Sequence, residues 1–155
     1  MSEETLLTPD GARRLKEELE NLKGPARLAL AQRLRSAVQQ GDLSENADYA
    51  SAKEAQSFLE GRIQELEGIL RHARIIQPSP GPKEAIELGC RVTVAEMDAG
   101  PETFVLVGSK EADPRAGRIS HESPIGSALL GHRVGELVQV QTPAGILQLK
   151  ILRIE

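Results

Sequence analysis

The sequence predicts an α+β chain in two parts: an antiparallel coiled-coil hairpin of two helices, then a small antiparallel β-sheet with one short helix. Three observations carry that reading. In two stretches of the first half, Leu, Ile and Ala fall at steps of four and three. The run Gln77-Pro78-Ser79-Pro80-Gly81-Pro82 then breaks the helical pattern. Beyond it, apolar residues recur at every second position, the period of a half-buried strand. Residues 1–77 are thus expected to form a hairpin arm with its tip at about 41–46, residues 78–82 a linker, and residues 83–155 a globular domain.

The first helix is expected to start at Thr8-Pro9-Asp10. Thr8 is a good N-cap, Pro9 suits the first helical position, and Asp10 favours the positive end of the helix dipole. Its apolar stripe runs through Leu15, Leu19, Leu22 and Ala26 and resumes at Leu30, Leu34 and Ala37. Pro25 has no amide proton to donate, so Gly24-Pro25 is expected to kink this helix or to place a short non-helical bend in it. The second helix carries Leu59, Ile63, Leu66, Leu70 and Ala73. Both stripes are narrow seams suited to a helix pair rather than broad globular faces. Two such helices joined by a few residues make a hairpin, and some 30 helical residues reach about 45 Å.

Past the linker, Arg91-Val92-Thr93-Val94 alternates, Thr103–Val107 is rich in strand formers, and Val138–Gln141 and Leu147–Ile151 alternate again. Thr142-Pro143-Ala144-Gly145 between the last two reads as a hairpin turn. One short helix interrupts, with Ser123 as cap, Pro124 first and Gly131 as stop.

Composition excludes several classes. The net charge of -4 argues against a polyanion binder held by bulk charge. Phe58, Phe104 and Tyr49 are the whole aromatic complement, too few for a base-stacking platform. A lone Cys90 cannot form an internal disulfide and fits a reducing compartment. The acidic start lacks the features of a signal peptide, and no apolar run approaches a membrane span. A cytoplasmic protein without membrane association is expected.

The run Gly41-Asp42-Leu43-Ser44-Glu45-Asn46-Ala47-Asp48-Tyr49 falls where the hairpin turns. Asp42 and Glu45 are three apart, the spacing of a capping box, in which Asp42 caps the second helix and Glu45 reaches back. Ser44 is a competing cap, which would leave both carboxylates freer. Two carboxylates at such a tip can also share a divalent ion. They cannot saturate Mg²⁺, which wants near-octahedral oxygen, but they can complete a half-built site on another molecule.

Between Gly24 and Gln40 the only charged residues are Arg27, Arg33 and Arg35. A solvated helix face and a patch for RNA phosphate or an acidic wall explain them equally. Arg33 and Arg35 are two apart and cannot share one face. His72, His121 and His132 show no metal-ligand spacing with Cys90 or each other, and no nucleophile–base grouping or phosphate-binding glycine loop is present.

The chain resembles the bacterial transcript-cleavage factors of the GreA type over nearly its whole length. Leu6-Leu7-Thr8-Pro9-Asp10-Gly11 and Leu15-Lys16-Glu17-Glu18-Leu19 are similar to the family's opening. Gly41–Asn46, Asp48-Tyr49 and Ala52-Lys53-Glu54 resemble its tip and descending helix. Val107-Gly108, Glu111-Ala112-Asp113, Ile119-Ser120 and Ser123–Gly131 follow its later order. The pattern departs at Gly24-Pro25-Ala26-Arg27-Leu28, where family members commonly carry an Arg-Pro pair followed by an acidic residue.

The resemblance implies a C-terminal domain like that of FK506-binding proteins and an arm that enters the secondary channel of bacterial RNA polymerase. There such factors stimulate the polymerase's own hydrolysis of backtracked RNA without being enzymes themselves. It maps the metal-holding tip acids onto Asp42 and Glu45, sharing Mg²⁺ only within the polymerase complex and binding none stably in the free protein. Ser44, Asn46 and Tyr49 are further tip candidates. Arg27, Arg33 and Arg35 are candidates toward the nascent RNA 3′ end, and Ser123, Pro124 and Ile125 toward the polymerase rim. The free protein is expected to be a monomer.

Three other readings compete. A Gre-like inhibitor would occlude the same channel and suppress catalysis. A prolyl isomerase would need an aromatic pocket, for which the second half offers only Phe104. A generic coiled-coil adaptor would be indifferent to its tip charges.

Overall fold

In the computed structural model, which describes residues 4–41, 46–77, 79–81, 83–97 and 99–155, strand β1 (Thr5–Leu7) leads into helix α1 (Pro9–Asn21). The expected cap is in place: the Thr8 hydroxyl accepts from the Gly11 N–H at 3.0 Å. A π-helical turn, Leu22–Ala26, follows with Pro25 inside it, and helix α2 (Arg27–Val38) continues. Helix α3 (Ala47–Arg71) returns, and strand β2 (Ala73–Ile75) follows it. The fold is the expected α+β arrangement of a helical hairpin and a sheet with one short helix.

Two compact units emerge from the contacts: Arg13–His72, and Met1–Ala12 together with Ala73–Glu155. The division falls at either end of the hairpin and not in the proline-rich segment 78–82. The cause is a long-range pairing: β1 and β2 run parallel, with Thr5 opposite Ala73 and Leu7 opposite Ile75.

Within Arg13–His72, every stripe position named in the sequence is buried or half-buried from Leu15 to Ala37 on one strand of the hairpin and from Leu59 to Leu70 on the other. Ile63 and Leu66 are at most 2% exposed, and so are Ala37 and Ala52 toward the turn. Small residues there let the helices approach closely. The predicted bend takes the form of the π turn. From Leu22 the seam steps four, four and four to Leu34, wider than a coiled coil's average of about 3.5. A π turn holds more residues than an α turn and takes up that drift, while its Arg27 N–H bonds back to the Leu22 carbonyl.

The other unit holds a five-stranded sheet of β3 (Arg91–Glu96), β4 (Pro101–Val107), β5 (Arg118–Ser120), β6 (Leu137–Thr142) and β7 (Gly145–Ile154). The order is β5-β4-β3-β7-β6. Three of the pairs are antiparallel as expected; β4 and β5 pair in parallel, which makes the sheet mixed. Alternation buries Val92, Val94, Val138, Val140, Leu149 and Ile151 on one face, where they join Leu106, Ile119, Leu129 and Cys90 in a single core. The β6–β7 turn lies at Pro143-Ala144, with Thr142 paired to Gly145. The register of β3 on β7 shifts between Thr93 and Val94.

Helix α4 (Pro124–Leu129) has the expected Ser123 cap, whose hydroxyl accepts from the Gly126 N–H at 3.0 Å. The helix ends beside Gly131 at φ 85°, a left-handed conformation that glycine adopts without strain. Gly126 cannot carry a side chain, since a Cβ there would lie 2.0 Å from the Ser120 carbonyl oxygen.

Candidate functional site

At the turn of the hairpin, α2 ends with Gln39 as C-cap and Gly41 at φ 107°, and α3 starts at Ala47. The N-cap of α3 is Asn46: its Oδ1 accepts from the Tyr49 N–H at 3.0 Å. This corrects both sequence alternatives, since the helix begins after Asp42 and after Ser44. Asparagine is as good a cap as either, and it lies closest to the first helical residue. A second bond leaves the same side chain, from Asn46 Nδ2 to the Ala37 carbonyl at 2.7 Å. Asp42, Ser44 and Glu45 themselves lie outside the described residues. Tyr49 is half-buried in the first turn of α3, and Asp48 beside it places a carboxylate at the positive end of the helix dipole.

The arginines separate. Arg27 is bidentate on the Glu60 carboxylate, with Nε at 2.9 Å and Nη2 at 2.7 Å. The hydrogen bond to Glu60 raises the Arg27 pKa and lowers that of Glu60. The charge that found no partner within its own stretch of sequence is therefore matched from the opposite helix. Arg33 is exposed and donates to the Ser51 hydroxyl at 2.7 Å. Arg35 is exposed in the last turn of α2, where a cation suits the helix dipole. Two further cross-helix pairs, Arg62–Glu18 and Lys23–Glu67, lie farther from the turn.

Ser123, Pro124 and Ile125 come together at the start of α4, but with different freedom. The Ser123 hydroxyl is occupied twice, donating to the Ser120 carbonyl at 2.7 Å while capping Gly126. Ile125 packs against the core, and Pro124 is exposed. His132 Nδ1 meets Glu136 Oε2 at 2.5 Å, a pairing that lowers the Glu136 pKa.

Sequence reasoning missed one anchoring residue. Glu111 accepts from the Thr8 N–H at 2.8 Å, the Thr8 hydroxyl at 2.5 Å and the Gly108 N–H at 3.1 Å. Its carboxylate fixes the segment before α1 to the turn after β4. The sequence signals available were the family match at Glu111-Ala112-Asp113 and the glycines at 11 and 108, whose need the structure explains: a Cβ on Gly11 would lie 1.7 Å from Glu111 Oε1, and one on Gly108 would lie 1.8 Å from the Leu6 carbonyl oxygen.

Among the described residues no group of three or more His, Cys, Asp or Glu side chains is placed to hold a metal ion, and no helix is long and apolar enough to cross a membrane.

Residues 5–75 match the family model described as transcription elongation factor, N-terminal, and residues 81–155 match the one described as transcription elongation factor, GreA/GreB, C-term. Among curated proteins, the chain is 46% identical to the transcription elongation factor GreA of Thermoanaerobacter pseudethanolicus, covering 99% of each chain. It is 48% identical to that of Chloroflexus aggregans, covering 97% of this chain and 96% of the relative. Among solved structures, GreA factor homolog 1 of Thermus thermophilus is 30% identical, with 99% of each chain covered and a TM-score of 0.45.

Proposed function

The chain belongs to the GreA/GreB transcription elongation factor family, and we propose that it activates transcript cleavage by bacterial RNA polymerase without being an enzyme itself. The hairpin enters the secondary channel and brings Asp42 and Glu45 to the polymerase active site, where the nascent RNA 3′ end is backtracked. The observation that carries this is the tip: two carboxylates fall in the sequence between the end of α2 and the Asn46 cap of α3. Neither is needed as the helix cap, because Asn46 fills that role.

Asp42 and Glu45 offer the hard oxygen donors that Mg²⁺ takes, yet two carboxylates leave most of its roughly six positions to other ligands. The ion is therefore shared, with the polymerase and RNA phosphate supplying the rest, and the free protein holds none stably. Bound there, it would activate a water or steady the leaving oxygen. The chain's own part is to carry two negative charges to that place and keep them there. Of Arg33 and Arg35, which cannot share one face, one meets RNA phosphate or the channel wall, and exposed Pro124 with its neighbours Ser123 and Ile125 meets the polymerase rim. The free protein acts as a cytoplasmic monomer.

The test is the double variant Asp42→Asn/Glu45→Gln in a cleavage assay on backtracked complexes. It should lose stimulation while competing undiminished with wild type for polymerase. Retained stimulation would sink the mechanism.

A further inference from the structure

We infer that Asn46 is a positioning residue for the tip acids, acting as a two-sided clasp between the end of α2 and the start of α3, the helix ends that flank those acids in the sequence. Its orientation is fixed by chemistry: the Tyr49 N–H can only donate and the Ala37 carbonyl can only accept, so Oδ1 must face Tyr49 and Nδ2 must face Ala37. One rigid amide thus joins the end of α2 to the start of α3 across nine residues of sequence. Asp42 and Glu45 both lie within that span.

The surroundings are built for it. Ala37 and Ala52 are at most 2% exposed, and such small side chains bring the helices close enough for an amide to bridge them. The Ala37 carbonyl also accepts from the Gln40 N–H at 3.2 Å, so the clasp and the last turn of α2 share one acceptor. An ordinary cap needs only an acceptor, which aspartate and serine supply equally well. Unlike aspartate, asparagine also brings a donor, and unlike serine it carries donor and acceptor on separate atoms that can face two helices at once. Catalytic groups must be held to a fraction of an ångström, and small misplacements cost about 100-fold in rate. The clasp fixes the two helix ends that flank the acids in the sequence relative to each other.

This inference rests on the cleavage reading above, and its test separates the two. The decisive variant is Asn46→Asp, which keeps the acceptor for Tyr49 and loses the donor for Ala37. In wild type, NMR should show one Asn46 side-chain amide proton protected from exchange; a freely exchanging pair would overturn the clasp whatever the polymerase does. In the cleavage assay, Asn46→Asp should leave the half-saturating concentration within about 2-fold of wild type while lowering the maximal rate at least 10-fold. An unchanged maximal rate, at unchanged Tm, would overturn the positioning role. Asn46→Ala loses both bonds and should fall in Tm as well, which distinguishes capping from clasping. Should wild type itself fail to stimulate cleavage, the cleavage reading fails and the positioning role falls with it. Amide exchange would still decide whether the clasp exists.

Discussion

Arg27 on the first helical strand of the hairpin and Glu60 on the second face each other through two hydrogen bonds of 2.9 and 2.7 Å. Both side chains are about two-fifths exposed, so solvent screens the pair and its contribution to stability is small. Its pH dependence has a definite sign. The Glu60 pKa is lowered in the folded chain by the Arg27 hydrogen bond. The stabilisation is therefore complete above the ordinary glutamate range and is lost as pH falls through the lowered folded value. Glu60→Gln should lower Tm by a few degrees at most at neutral pH. In acid, below the lowered folded value, the variant and wild type should converge. A constant difference across that range would contradict the assignment.

Glu111 and the glycines around it should be far less tolerant. Glu111→Ala leaves the Thr8 and Gly108 N–H groups without their acceptor, at a cost of about 1–3 kcal/mol per buried unpaired group. Gly108→Ala should be worse, because its Cβ meets backbone at 1.8 Å and not the end of a flexible side chain. Gly11→Ala meets the Glu111 carboxylate and should be partly rescued by Glu111→Ala. Urea melts of the three single variants and the Gly11/Glu111 double would show this ordering or refute it.

The arginines predict different salt behaviour. Removing a cation that meets RNA phosphate reduces the slope of log affinity against log salt by about 0.7–0.9. Because the two cannot share one face, one of Arg33→Ala and Arg35→Ala should move the slope in that direction for polymerase complexes carrying extended backtracked RNA, and the other should move it much less. Arg27→Ala should move it less, since Glu60 already matches that charge. Equal effects from all three would place Arg27 on the RNA as well.

Much of the fold was legible because local signals and burial agree. Thr8-Pro9 and Ser123-Pro124 start helices where proline at the first position and a hydroxyl cap coincide. The alternation in Val92–Val94 and Val138–Val140 marks strands that bury one face. What stayed hidden depends on long-range pairing. Strands β1, β2 and β5 have three residues each, too few to show a period, and they are strands only because a partner lies alongside. The role of Glu111 depends on a residue 103 positions away. At the tip, Asp42, Ser44 and Asn46 are all competent caps, and sequence cannot rank them. Asn46 is the cap, and it also bonds the Ala37 carbonyl.

The most direct test of the central claim is 3′-fragment release from a backtracked elongation complex of bacterial RNA polymerase in Mg²⁺, with and without the protein. The account predicts faster release with wild type and none above background with Asp42→Asn/Glu45→Gln. Slowed nucleotide addition with no acceleration of release would contradict it and make this chain an inhibitor of the same enzyme.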